Sequence, residues 1–444
     1  MKDAILAMSW RLIPITDSVR KYQWLTLVCL LLLLAGTVVG IIVPAGPGWD
    51  FANFYDTGRR AAAGQIGDLY NPDSLINGEK PQGGLGFYGA PISALLYAPL
   101  SYFSPPWAMI VFKIQNTLAC LAALALLYRH NRKFAEAAPA EQWQYAALFA
   151  AVSLLYQPFW TVYRVGGQTT PTVFLLLTLG LLGHVQSRLW LSAACMVAIV
   201  LIKPAFIFAL VLLVFISGWR FFKATAVLLS LSILASVLIL GWEAHEEFLG
   251  AMRRGSQTGY AWFYNSSLYV VAENLKLLAE PVGEQSSTLK IFMLGVKALV
   301  LATFGYLSWM SRARKWPRTW PLKWPDAARR HFDFLLAITF CLLISQTVWE
   351  HYLAALFPLL AYILAARRQF NAGALALVGA IILLAIGQNL ILINFLRAHF
   401  SFDSRPELVL IGLFKSAPLL LTLIFLWRHY REMFKSYDAS LWSS

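Results

Sequence analysis

Charge is what this chain is short of. Only 13% of its 444 residues are charged, against about 25% in soluble domains, while 59% are hydrophobic and the mean hydropathy is +0.61. That deficit excludes an ordinary soluble globular fold. Acidic residues are scarcer still, 22 against 36 Lys and Arg, for a net charge of +14. In a soluble chain such a surplus points to nucleic acid. Here the cations cluster beside apolar segments, as the positive-inside bias expects, so nucleic acid is rejected as a partner. The four cysteines, Cys29, Cys120, Cys195 and Cys341, all lie inside apolar runs and form no CxxC pair. Neither a disulfide framework nor a zinc site is expected from them. GxGxxG, Walker A, HExxH and GxSxG sequences are missing as well, which removes the common nucleotide-binding and hydrolase readings and implies no cofactor. With no low-complexity tract, long linker or visible repeat, residues 1–444 are expected to form one integral-membrane unit.

What is present is a series of apolar runs near or above 18 residues, each long enough to be a membrane segment. The first, 24–43, is longer than a signal-peptide core of ~7–15 residues and is followed by no small-x-small cleavage site, so it reads as a retained helix. Lys2, Arg11, Arg20 and Lys21 place residues 1–21 in the cytoplasm, which delivers residues 44–105 to the outer side. Within that stretch 91–103 reads as an interfacial or re-entrant segment. The run 106–128 returns to Arg129, Arg132 and Lys133, 145–162 leads out, and 170–186 leads back to Arg188.

The run 191–217 is interrupted at its middle by Lys203-Pro204. Proline disrupts a helix interior, and a lysine at membrane depth costs several kcal/mol unless it faces protein or water. Counted as one crossing, this run would put the basic loop 312–330 outside. Counted as two short helices meeting at Lys203-Pro204, it puts Arg312, Arg314, Lys315, Arg318, Lys323, Arg329 and Arg330 inside. The second count is preferred. The expectation is therefore an all-α polytopic bundle of about 12 membrane segments, some short or broken. It has outer loops at 44–105 and 243–289, and both termini, including the tail 428–444, in the cytoplasm.

The polar oddities sort to one side. Asp50, Asp56, Arg59, Arg164, Gln168, Lys203, Asn265, Glu350 and His351 all fall in outer loops or at outer segment ends. Five carboxylates lie between Asp50 and Glu79 alone. A base with several cations suits a hydroxyl that attacks while a phosphate leaves. Each residue also has a plainer reading. Asp50 caps a helix, Lys203 snorkels, His351 is a satisfied core histidine, Gln168 serves the turn at Gly166-Gly167, and Arg59-Arg60 form a solvated face.

The segment DFANFYDTGRRAAAGQIGDLYNP (50–72) resembles the first outer loop of glycosyltransferase family 87, polyprenyl-phosphate-sugar-dependent enzymes of the GT-C superfamily. Further similarities follow in the family's order: FYGAPISALLYAPL (87–100), GGQTTPTVFLLLTLGLL (166–182), LIKPAFIFALVLLV (201–214), NSSLYVV (265–271) and SQTVWEHYLAALFPLL (345–360). Two departures stand out: Ala90-Pro91 takes the place of the commoner Pro-Pro, and Phe54-Tyr55 offers two candidates for a single aromatic.

The resemblance implies a GT-C-type bundle in the inner (plasma) membrane, with its active site on the outer face. It implies an inverting transfer of a sugar, mannose rather than arabinofuranose, to a hydroxyl of a glycolipid or polysaccharide. In that scheme Asp50 is the general base. Lys203, His351 and Arg164 face the donor phosphate, and Asp56, Arg59, Gln168, Asn265 and Glu350 bind substrate. The leaving group is a phosphate monoester, which cations balance without requiring a metal. The donor's lipid tail partitions into surrounding membrane lipids at ~0.8 kcal/mol per buried CH₂. Two other classes compete. A lipid or solute transporter would also carry a membrane-depth lysine at a broken helix. A non-catalytic scaffold would leave the acidic loop unexplained.

Overall fold

The computed structural model describes residues 17–43, 49–71, 86–135, 138–164, 167–257, 265–270, 287–312, 326–345, 347–387 and 405–435. The expectations for 1–16, most of the basic loop 312–330, parts of both outer loops and the end of the tail fall outside these residues.

Among the described residues the regular structure is helical, apart from one isolated antiparallel bridge, Asn265 with Trp349. In order the helices are α1 (Asp17–Ile42), α2 (Trp49–Ala62), α3 (Pro105–Asn131), α4 (Pro139–Leu155), α5 (Gln157–Arg164), α6 (Thr170–Val185), α7 (Leu189–Ile202) and α8 (Ile207–Ser217). They continue as α9 (Trp219–Leu240), α10 (Glu243–Gln257), α11 (Ser287–Arg312), α12 (Asp326–Ile344), α13 (Phe357–Ala365), α14 (Ala372–Gly387) and α15 (Arg405–Lys435). Among the described residues, four helical stretches are long and apolar enough to cross a membrane unaided: Asp17–Ile42, Pro105–Phe134, Trp219–Leu240 and Leu410–Tyr430. Six more are apolar but shorter.

Proline in the first turn sets where several segments begin. Pro105, Pro139, Pro171 and Pro358 open α3, α4, α6 and α13, and Pro204 opens a 3₁₀ turn before α8. The missing N–H and fixed φ suit that position. The run 145–162, expected as one segment, is two helices broken at Tyr156, whose hydroxyl donates to the Leu353 carbonyl at 2.7 Å.

The break at Lys203-Pro204 reverses the chain. His184, near the end of α6, lies 3.4 Å from Ser192 Oγ through Nδ1 and 3.2 Å from Ser217 Oγ through Nε2. The start of α7 and the end of α8 therefore meet at one imidazole, and the two helices form a hairpin with Lys203 at its tip. At ~1.5 Å per residue, α7 lifts Lys203 roughly 20 Å from that end. At the same end Arg330 donates to the Val185 carbonyl at 3.0 and 3.2 Å, and Arg367 and Arg368 each pair with Glu141 at 2.5 Å. The bundle thus has one cationic end, with Lys203 at the opposite end.

An aromatic box anchors the interior below Lys203. Phe159 stands 4.9 Å from both Phe174 and Phe357, and Tyr156 stands 5.3 Å from Phe357, centroid to centroid. In a bilayer such packing, rather than exclusion of water, holds helices together. A smaller cluster of Phe51, Tyr55, Tyr70, Phe87, Tyr97 and Phe112 forms beside α2. It seats α2 on two 3₁₀ turns, Pro91–Leu96 and Ala98–Tyr102, where the re-entrant segment was expected. Gly58 permits the contact, because a Cβ there would stand 2.4 Å from the Tyr97 backbone. Tyr55 Oη donates to the Phe103 carbonyl at 2.9 Å, and Lys113 Nζ caps the end of α1 through the Gly40 and Val43 carbonyls, each at 2.9 Å.

Candidate functional site

Four segments distant in sequence meet at the tip of the α7–α8 hairpin. Asp50 arrives in the first turn of α2, half-buried. Gln168 precedes α6 and is buried. Gly167 before it holds φ +89°, and a Cβ there would lie 2.9 Å from Phe51 Cβ, so the turn needs glycine for conformation and for space. Lys203 caps α7, its own N–H donating to the Ile199 carbonyl at 2.7 Å. His351 enters in a 3₁₀ turn, Glu350–Leu356, that follows extended Trp349.

The contacts form a chain. Lys203 Nζ donates to Gln168 Oε1 at 3.0 Å and stands 3.3 Å from His351 Nε2. It also lies 4.6 Å above the centre of the Tyr352 ring, a cation–π arrangement. With the Gln168 oxygen taken by Lys203, its amide hydrogens serve the Asp50 carboxylate, with which Gln168 shares a hydrogen bond. A protonated Lys203 donates to both neighbours, which makes Nε2 of His351 an acceptor and puts the ring proton on Nδ1. Burial raises the pKa of Asp50 above its ordinary 3.8, while the Gln168 hydrogen bond and the Lys203 charge pull the other way.

Beside this chain lies a small cavity. Thr170, Val173, Phe174 and Leu177 of α6 line it, with Lys203, Phe206 and Tyr352 among the opposing residues. Its polar lining residues are Thr170, Lys203 and Tyr352, and the others are apolar.

The remaining site residues expected from sequence divide differently. Asn265 is buried, and its Oδ1 accepts from the Ser267 and Val348 backbone amides at 3.0 Å each. With Ser266 N donating to the Val348 carbonyl at 2.6 Å, it straps residues 265–267 to the stretch that carries His351. Both of these contacts are to backbone, and they give Asn265 a strapping role. Glu350 is likewise engaged from within, in a buried ion pair with Lys415 of α15. Asp56 is buried and 3.7 Å from half-exposed Arg59, one turn along α2 and separate from the Lys203 contacts. Arg164 ends α5, with its side chain outside the described residues.

Sequence reading missed Thr170, Tyr352 and Lys415. Tyr352 follows His351 directly, and that adjacency was the available signal. Lys415 sits in an apolar run as Lys203 does, without a proline beside it to draw notice.

A carboxylate of raised pKa, linked by an amide to a buried ammonium, is equipped to take a proton close to an anion site. The sequence model of glycosyltransferase family 87 matches residues 87–323, a span that includes Arg164, Gln168, Lys203 and Asn265 and ends before Glu350 and His351. Asp50 precedes it. No curated protein matches the chain.

Proposed function

As the chain belongs to glycosyltransferase family 87, we propose that it is an inverting enzyme that takes a sugar from a polyprenyl-phosphate-sugar donor. The acceptor is a hydroxyl of a glycolipid or polysaccharide, and the sugar we assign is mannose, from the resemblance. The observation that carries this reading is the link from Asp50 through Gln168 to Lys203, with Lys203 Nζ held 3.0 Å from Gln168 Oε1. A base and a cation are what the two ends of such a displacement need.

Asp50 removes the proton of the acceptor hydroxyl as its oxygen attacks the anomeric carbon. The bond from that carbon to the donor phosphate oxygen breaks with its electron pair, and polyprenyl phosphate departs. Lys203 faces the charge that develops on the departing oxygen, and His351 and Tyr352 hold Lys203 in place. Burial that raises the Asp50 pKa makes it a stronger base than a solvated aspartate, and the ammonium nearby favours its ionised form. A lipid-linked donor also accounts for a site that sits at the tip of a membrane-buried hairpin beside an apolar cavity.

The cationic end of the bundle, with Arg330, Arg367 and Arg368, is assigned to the cytoplasm by the positive-inside rule. That assignment puts Asp50 and Lys203 on the outer face of the plasma membrane and both termini inside. It also makes residues 1–444 one unit with its catalytic loop in 44–105. The test is to incubate the purified protein with a panel of radiolabelled polyprenyl-phosphate sugars and nucleotide sugars, with wild type and Asp50→Asn in parallel. Transfer from a nucleotide sugar alone would overturn the donor assignment. Wild-type turnover retained in Asp50→Asn would overturn the base.

A further inference from the structure

We propose that the N-terminal end of α6, with Thr170 on one side and Lys203 on the other, is the cradle that holds the donor's phosphate. The proposal rests on the polyprenyl-phosphate reading and adds to it a binding residue that the sequence did not single out.

The first amides of α6 have no intrahelical partner, and the aligned peptide dipoles make that end partly positive, so it favours an anion. A helix end by itself is common. Here a second observation stands beside it. Thr170 is 4% exposed and lines the cavity, and among the described residues its Oγ1 has no hydrogen-bond partner. A hydroxyl buried without a partner is costly, and it becomes worth keeping once a ligand oxygen accepts from it. Across the cavity stands Lys203, which also reaches the α6 lead-in through Gln168. Behind these polar groups the wall is Val173, Phe174, Leu177 and Phe206. The free space is about 10 Å³, which admits one phosphate oxygen and no tail, so the chemistry these surfaces complement is a single anionic oxygen beside hydrocarbon.

Binding can be tested without turnover, with the full-length purified chain, a short-chain polyprenyl monophosphate and the matching polyprenyl alcohol. Wild type should prefer the phosphate. Thr170→Val, which keeps the shape and removes the hydroxyl, should weaken phosphate binding by about tenfold or more. Alcohol binding should stay the same, and melting temperature should not fall, because no internal hydrogen bond is removed. Thr170→Ser should stay within about threefold of wild type, since it restores the donor. If Thr170→Val binds the phosphate as wild type does while Lys203→Met is weakened, the cradle is wrong and the donor reading stands. The cradle is also overturned if neither variant is weakened. If wild type shows no preference for the phosphate over the alcohol, the donor reading fails and the cradle with it.

Discussion

Lys203 and His351 are 148 residues apart in sequence, yet Nζ and Nε2 stand 3.3 Å apart at the tip of a helical hairpin. A protonated Lys203 can donate only to an unprotonated ring nitrogen, so in that charge state the contact puts the ring proton on Nδ1. Gln168 on the other side of Lys203 links the pair to Asp50. Removing one member should therefore be felt at the others.

Replacing Asp50 with Asn should lower turnover by about 10²–10⁴ while leaving expression and fold intact, since the change is nearly isosteric. Transfer measured with purified protein decides this. Activity above roughly a tenth of wild type would exclude loss of a general base on that scale and move the role to Asp56 or Asp68.

The pH profile should carry the mark of a shifted carboxyl. The base must be ionised to act, so activity falls as pH drops through the Asp50 pKa, and that limb should lie above the ordinary value of 3.8. Gln168→Leu removes a hydrogen bond that holds the pKa down, so the limb should move to higher pH. A downward shift would show that Gln168 does not serve Asp50. The same raised pKa favours the folded state below it and costs stability as pH rises through it.

Lys203→Met should weaken donor binding more than it lowers stability. The variant keeps an apolar stem and loses the charge proposed to face the donor phosphate. Comparing donor affinity with melting temperature separates the two effects. A large drop in melting temperature with unchanged affinity would make Lys203 a structural residue.

Breaking the Glu350–Lys415 pair from one side should be severe. Lys415→Met leaves a buried carboxylate without its cation, a cost of about 3–5 kcal/mol, whereas Glu350→Gln combined with Lys415→Met should recover most of it. Thermal melts of the three proteins give the order. A double variant as unstable as Lys415→Met would show that the pair itself is not what matters.

The hairpin makes sidedness testable. Single cysteines at exposed Gln186 and Arg220, before α7 and after α8, should both resist an impermeant thiol reagent in intact cells, while one at exposed Gln65 should react. Labelling of Gln186 and Arg220 from opposite sides would mean that 191–217 crosses the membrane once.

The membrane class and the break at Lys203-Pro204 were both legible in the sequence, because each is a local property of composition or of proline. A run of apolar residues has one economical environment, and a proline after a lysine in such a run has few tolerable ones. Charge bookkeeping over Arg312–Arg330 favoured a reversal at the break before any contact was known. Partners were not legible in this way. Nothing in the order of residues distinguishes Glu350, which pairs with Lys415, from His351, which meets Lys203, although the two are adjacent. Nor does it show that Asn265 straps the 347–349 backbone. Those assignments depend on side-chain direction across contacts more than 60 residues apart, such as the 65 between Glu350 and Lys415. Only packing decided them, because a polar group in an apolar interior must take whichever partner the helices bring within reach.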